Sequence, residues 1–387
     1  MDLALALKRL ELDISRNSLI DSGDKLILGC SGGADSNAML LLFSRLRYTL
    51  NVSLLAVHVN HQLRGEASTA DELAVRKLCL KLNIPLIIRR VQVPPQGNLE
   101  SQARVLRFKA FDEVMKSYSF HKILLAHHRD DQAETVLHNL LRGAGVSGMA
   151  GIKPKVGKVI HPMLSFTHKE LESILSKAQP EWQLDASNQD NSYTRNRLRN
   201  NLIPQLKQEY NNNVAEHLAR QAEIFNHADK MLQDRAKLQT KRIALEYSPQ
   251  KIVLEISPFL KLNSLEQYYV LRQCFRLVSA QDTDFMTVHF EAIQDILVAD
   301  GSKQIKLPHE VKIRKMYDEL HIYTKEELVP DSPAELEIDA DRARAVFGDY
   351  RFSFKYLKIA PKELYTDDAA VQVLLDADKL QDRKSVV

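Results

Sequence analysis

At 387 residues the chain is too long for one ordinary hydrophobic core, so two or three domains are expected. Its 44% hydrophobic and 27% charged content excludes a wholly disordered chain, and its net charge of +3 excludes a histone-like polycation while leaving room for a local nucleic-acid-binding patch. Cys30, Cys79 and Cys274 are far apart and form no CxxC pair, which excludes a disulfide framework and a thiolate metal site and points to a reducing cytoplasm.

The N-terminal twenty residues mix acids and bases at helical spacing, unlike a signal peptide. The longest apolar runs, such as Ala38–Phe43, are too short to span a bilayer, so no membrane role is expected. Lys25–Cys30 (KLILGC) then reads as a short buried strand and Asp35–Leu46 as a helix. Strand Ser53–Val59, helix Ala67–Leu82, strand Leu86–Val91, helix Glu100–Lys116, strand Lys122–Ala126 and helix Asp130–Leu141 follow in turn. Such alternation predicts βαβ units, hence an α/β, doubly wound, parallel sheet with ligands at the carboxyl ends of its strands. The alternation stops near Gly151. Residues 160–210 read as helices and loops, and 211–245 as one long polar helical stretch. Helices around Leu265–Val278 and Thr287–Ile296 precede strand-like Lys303–Leu307, Val311–Met316 and Leu320–Tyr323. Pro330 and Pro333 mark a boundary before a short β-rich segment. The expected domains are 1–212, nucleotide-binding and catalytic; 213–328, a helical linker with an α+β part; and 329–387, the start of a β-rich C-terminal domain.

The first strand runs directly into Ser31-Gly32-Gly33-Ala34-Asp35-Ser36 and a helix. Glycines at a strand-to-helix turn let backbone N–H groups approach an anion, and the helix N-terminus adds positive potential. Ser31 and Ser36 can donate to phosphate oxygens. The GxxxxGK[ST] pattern is absent, so this is not a Walker-type loop. Asp35 would repel phosphate unless a cation sits between them, and Mg²⁺ is the natural one; a bare helix cap is the alternative.

The fourth strand ends at His127-His128-Arg129-Asp130-Asp131-Gln132-Ala133-Glu134. Asp131 and Glu134 are three apart on the following helix and share a face near its start. Acids favour helix N-termini through the dipole. Two histidines at a strand's carboxyl end favour a site, where the carboxylates hold Mg²⁺ or an ammonium group and His127 orients substrate or shuttles a proton.

The SGGxDS string resembles the PP-loop of the ATP pyrophosphatases. Four further segments, HVNHQLRGEAS (58–68), ESQARVLRF (100–108), LRGAG (141–145) and DASN (185–188) leading to YTRNRLR (193–199), resemble in this order the tRNA(Ile)-lysidine synthetases over about residues 20–210. That resemblance implies an adenine nucleotide alpha hydrolase-like fold and a ligase that cleaves ATP to AMP and pyrophosphate. Its partners would be a tRNA with a CAU anticodon and free L-lysine; ATP with Mg²⁺ adenylates the wobble cytidine's C2 oxygen, and the lysine ε-amine displaces AMP. It further implies an ATP site at Ser31, Gly32, Gly33, Ala34, Asp35, Ser36, His58 and Asn60, with Mg²⁺ on Asp35 and Asp131. Lysine would meet Arg104, Arg107, His127, Asp131 and Glu134, where paired arginines suit a carboxylate. Catalysis would rest on Asp35, Arg107, His127, Asp131 and Glu134. Contacts to tRNA would come from Arg64, Asp185, Asn188, Arg195, Arg197 and Arg199, one of the three last arginines reaching the active site. The resemblance also admits a homodimer, and its members often carry a further basic domain after the sequence that here closes in QDRKSVV, so the C-terminal part is expected to be short or truncated. Competing readings are a tRNA thiolase, for which no cysteine pair is present, an amidotransferase-type synthetase, for which no glutaminase nucleophile is present, and a scaffold without activity, which the intact acids oppose.

Overall fold

The computed structural model describes residues 1–63, 65–94, 99–178, 194–281, 284–299 and 301–324, with two strands at 344–347 and 350–353. Arg64, Trp182, Asp185 and Asn188 lie outside the described residues, as does most of the expected β-rich C-terminal segment. The chain separates into two compact units, Met1–Thr324 and Lys325–Val387. Of the second, an antiparallel pair of strands is described, Arg344–Phe347 with Tyr350–Ser353.

The first unit opens with α1 (Leu3–Arg16), β1 (Lys25–Cys30), α2 (Ala34–Leu46), β2 (Ser53–Asn60), α3 (Glu66–Lys81), β3 (Leu86–Arg90), α4 (Leu99–Tyr118), β4 (Lys122–Leu124) and α5 (Arg129–Leu141). A short helix α6 (Val146–Met149), a hairpin β5 (Lys155–Val156) and β6 (Val159–Ile160), and α7 (His168–Ala178) follow. The six strands lie in the order β3-β2-β1-β4-β6-β5, parallel except for the edge pair β5–β6. The expected parallel α/β sheet is therefore present, with an antiparallel edge that the sequence did not announce. Its central strands are buried on both faces: β2 hides seven of its eight residues, as unbroken apolar runs do when helices cover both sides. Residues of α1, α2, α3 and α7 cover one face around Leu10, Met39, Phe43 and Leu171. Phe111, Val114 and Met115 of α4 cover the other. The strand order reverses direction between β1 and β4, which opens a crevice at their carboxyl ends.

The chain then runs through α8 (Thr194–Arg197), a π turn (Leu198–Leu202) and α9 (Ile203–Glu209) into α10 (Val214–Ile243), a helix of 30 residues. Strands β7 (Ala244–Tyr247) and β8 (Lys251–Glu255), helices α11 (Ile256–Leu260), α12 (Ser264–Ser279) and α13 (Thr287–Val298), and strands β9 (Lys303–Lys306), β10 (Lys312–Met316) and β11 (Glu319–Tyr323) complete the unit. These strands form an antiparallel sheet, β7-β8-β11-β10-β9. A second core around Phe259, Leu271, Phe275, Ile313 and Ile322 joins that sheet to α12 and α13. No helix among the described residues is long and apolar enough to cross a membrane.

Candidate active site

The glycine turn after β1 is held open by its own side chains. Ser36 Oγ donates to Gly33 O at 3.0 Å and lies 3.2 Å from Ser31 Oγ, while the Gly33 N–H donates to Ser31 Oγ at 3.3 Å. Asn37, fully buried, donates to Gly32 O at 3.0 Å. Gly32 has φ +96°, and a Cβ there would stand 3.0 Å from Asp71 Cβ, so both backbone and space require glycine. His58 and Asn60, at the end of β2, are buried and turned to internal partners. His58 Nδ1 donates to Cys30 O at 2.9 Å, and Asn60 Nδ2 donates to Glu72 Oε2 at 3.1 Å.

Asp35, in the first turn of α2, meets the start of α5 through His128. His128 Nε2 lies 3.5 Å from Asp35 Oδ2 and 3.4 Å from Asp131 Oδ2, so one imidazole ties the two carboxylates together. The same ring caps α5: its Nδ1 accepts from the Asp131 N–H at 3.3 Å, and Asp131 Oδ2 accepts from the His128 N–H at 2.9 Å. Burial works against charge on His128, but hydrogen bonding to Asp35 and the fields of Asp131, Asp35 and Asp130 prevail, and its pKa stands above the ordinary value. Asp35 also accepts from His168 Nδ1 at 2.8 Å. Burial would raise the Asp35 pKa, yet hydrogen bonds from His128 and His168 hold it well below the usual carboxylate range. Asp35, His128 and His168 offer ligand atoms within 4.8 Å of one another. However, His128 Nε2 faces the carboxylates of Asp35 and Asp131, which only accept, so this ring is placed to donate rather than to ligate. Ionised, partly exposed oxygens on Asp35 fit a hard cation such as Mg²⁺, whose remaining ligands are ordinarily phosphate and water.

Beside this lies a pocket of about 380 Å³ lined by His61, Arg104, Arg107, His127, Asp131, Arg195 and Arg199, with Ala103 and Asn196. It gathers residues from the loops after β2 and β4 and from α4, α5, α8 and the π turn. A larger, open groove of about 570 Å³ follows α4 from Ser101 to Lys116. Arg195 donates to Asp131 Oδ1 at 3.1 Å and to Glu134 Oε2 at 2.9 Å; Arg199 donates to Asp131 Oδ1 at 2.8 Å and to Glu134 Oε1 at 2.5 Å. Glu134 is 1% exposed, and Arg197, between the two arginines, faces outward. His127 Nδ1 is buried with no hydrogen-bond partner among the described residues. Its ring meets His161 edge-on, centroids 4.8 Å apart. Burial, then the neighbouring His161, drive the His127 pKa down to about 3, so the ring is neutral near pH 7.

The crevice thus unites Asp35, Arg104, Arg107, His127, Asp131 and Glu134, all expected from sequence, and draws Arg195 and Arg199 onto the acids. His128, His161 and His168 carried no individual role in the sequence reading. His128 was visible in its motif, but isolated histidines such as His161 and His168 give no periodic signal.

A phosphate loop and an acidic helix start, facing each other across the switch point of a parallel sheet, define a nucleotide-dependent enzyme class. In agreement, a model of the PP-loop domain family matches residues 7–206. A tRNA(Ile)-lysidine synthase of Caldanaerobacter subterraneus subsp. tengcongensis is 32% identical over 317 residues, 81% of this chain and 68% of that protein. One of Chlorobaculum tepidum is 35% identical over 274 residues, 68% of this chain and 81% of that protein. A solved U34-tRNA thiolase from Methanococcus maripaludis overlays with a TM-score of 0.47 at 19% identity, over 57% of this chain and 79% of that one. The chain belongs to the tRNA(Ile)-lysidine synthase family of PP-loop proteins.

Proposed function

We propose that the chain converts the wobble cytidine of a CAU-anticodon tRNA to lysidine. ATP adenylates the C2 oxygen of the base with release of pyrophosphate, and the ε-amine of free lysine then displaces AMP. What carries this reading is the meeting, at His128, of a phosphate loop with a pocket of about 380 Å³ that holds both cationic and anionic groups. A free amino acid needs both.

In this reading Ser31–Ser36 receives the nucleotide phosphates, with backbone N–H groups and two hydroxyls as donors. Asp35 would hold Mg²⁺, which supplies neutralisation of phosphate charge when bound. Asp131 serves the pocket instead, since its Oδ1 faces the guanidinium groups and its Oδ2 is taken by the His128 N–H. Arg104 and Arg107 grip the lysine carboxylate, a charge-assisted pairing with built-in direction. Asp131 and Glu134 face an ammonium group. His127, neutral, offers the amine a hydrogen bond without adding a repelling charge. The cytidine must leave its stack to reach the crevice, and exposed Arg197, with Arg64, Asp185 and Asn188, is assigned to tRNA. Cys30, Cys79 and Cys274 are all buried, and burial pushes Cys79 to about 11 and Cys274 to about 12. Such thiols do not suit sulfur transfer, and they fit a reducing cytoplasm.

Purified protein incubated with CAU-anticodon tRNA, Mg-ATP and labelled lysine should retain label on the tRNA through alkaline deacylation. Asp35→Ala should reduce AMP formation at least about 100-fold, the scale of losing a preorganised charge contact. Equal labelling by other amino acids, or none by lysine, counts against the proposal.

A further inference from the structure

The acidic end of the pocket is already filled by the protein's own cations. Four charge-assisted hydrogen bonds, between 2.5 and 3.1 Å, run from Arg195 and Arg199 to Asp131 and Glu134. The carboxylates are 8% and 1% exposed, so they need a cationic partner at all times. The two guanidinium groups, by contrast, are 39% and 37% exposed and sit at the pocket's mouth. They are carried by a one-turn helix and the π turn Leu198–Leu202. A π turn is a less stable form of helix that recurs at functional sites. It is pinned from below, where Leu198 packs with Ala133 and Leu137 of α5. The backbone is therefore anchored while the long side chains have solvent on one side. An alkylammonium carries the same charge and the same kind of donors as these guanidiniums. It cannot reach Asp131 Oδ1 while both are seated there.

We propose that Arg195 and Arg199 are a built-in plug of the ammonium seat, which lysine must displace, and that nucleotide phosphates take up the displaced guanidiniums. This rests on the lysine reading of the pocket. Arg199 holds Oδ1 of Asp131, whose Oδ2 lies 3.4 Å from the His128 ring that also reaches Asp35 at 3.5 Å, so Arg199 sits at the junction of the amino-acid seat and the phosphate loop. Swinging from carboxylates to phosphate exchanges one anionic partner for another, and the vacated carboxylates gain the lysine ammonium in return. Neither half of the exchange leaves a buried charge bare. Lysine and nucleotide consequently bind with positive coupling, and an enzyme without nucleotide holds its amino-acid seat shut.

The test is titration calorimetry of L-lysine into the full chain, with and without Mg²⁺ and a non-hydrolysable ATP analogue. Wild-type protein should bind lysine at least about fivefold tighter with the analogue. Arg199→Gln and the Arg195→Gln/Arg199→Gln pair, which keep polar side chains over the acids, should bind lysine about tenfold tighter than wild type without nucleotide, the gain expected when a closed state populated at about 90% is removed. They should also lose the analogue's effect and make lysidine more slowly. Lysine-induced rises in melting temperature should be larger for the variants than for wild type, a readout that a purely structural role would not move in this direction. Lysine affinity unchanged or weakened in the variants, or a wild-type affinity indifferent to the analogue, overturns the plug. Lysidine formation by wild-type protein is measured alongside. Its absence overturns the functional reading; its presence with unaltered lysine affinity in the variants overturns the plug alone.

Discussion

Glu72 shows how much a single side chain depends on its setting. On a charged helix it reads as a solvated residue, yet it is 4% exposed and accepts from Asn60, Arg76 and both Nε and Nη2 of Arg90 at 2.8 to 3.1 Å. The Arg90 hydrogen bonds, ahead of those from Asn60 and Arg76 and against burial, hold its pKa at about 2 rather than 4.5. The folded value lies below the unfolded one, so the stability this carboxylate contributes is fully present above about pH 4.5 and fades as the pH falls toward 2. Arg76 and Arg90 are more than half exposed, which screens the pairs. Glu72→Gln should therefore cost about 1–2 kcal/mol at pH 7. Urea denaturation should show the gap between wild type and variant narrowing from about pH 5 to about pH 3 and closing only near pH 2; a gap of the same size at pH 3 would refute the assignment. The family resemblance implies Asn60 at the nucleotide, and the sequence by itself shows only that Asn60 ends a strand. It does not show that the next helix returns a glutamate to the same spot, a pairing that exists only once β2, β3 and α3 are packed.

At the scale of elements, α10 joins the two sheets through one buried acid. Asp229, fully buried near its middle, accepts from Lys153 Nζ at 2.6 Å, Gln233 Nε2 at 2.7 Å and Tyr269 OH at 2.8 Å. Lys153 reaches it from beside the edge hairpin and Tyr269 from α12, so one carboxylate ties three parts of the chain. Lys153 O also accepts from His161 Nδ1 at 2.8 Å, and His161 backs His127 in the pocket. Asp229→Ala should cost about 3 kcal/mol, because it leaves the Lys153 ammonium without its partner. A double-mutant cycle with Lys153→Met should recover at least about 1 kcal/mol of that loss; strict additivity would mean the pair is idle. The length of α10 and the strand–helix alternation before it were legible because apolar periodicity is a local property. The edge hairpin β5–β6 and strands β7 and β8 were not. They span two, two, four and five residues, too few for alternation to register, and pairing with neighbours distant in sequence makes them strands.

For the whole molecule, what the sequence could not reveal is that the parallel sheet, α10 and the antiparallel sheet close into one compact unit, Met1–Thr324. Motif spacing placed the phosphate loop and the acidic helix at neighbouring strand ends, since β1 and β4 must be adjacent for a switch point to exist. It said nothing of the arginine turn between Thr194 and Leu202 folding back over those acids, because that contact spans more than sixty residues and leaves no periodic trace. The unit's cores involve residues up to Ile322 and are closed by β11 pairing with both β8 and β10. The central strands β8, β11 and β10 each find both neighbours within the unit. A protein ending at Thr324 should accordingly melt in one cooperative transition. It should also bind the Mg-ATP analogue within about twofold of the full chain, a difference of roughly 0.4 kcal/mol. Differential scanning calorimetry and titration calorimetry decide this. A split transition, or nucleotide affinity reduced tenfold or more, would mean that residues 325–387 complete the nucleotide-binding unit.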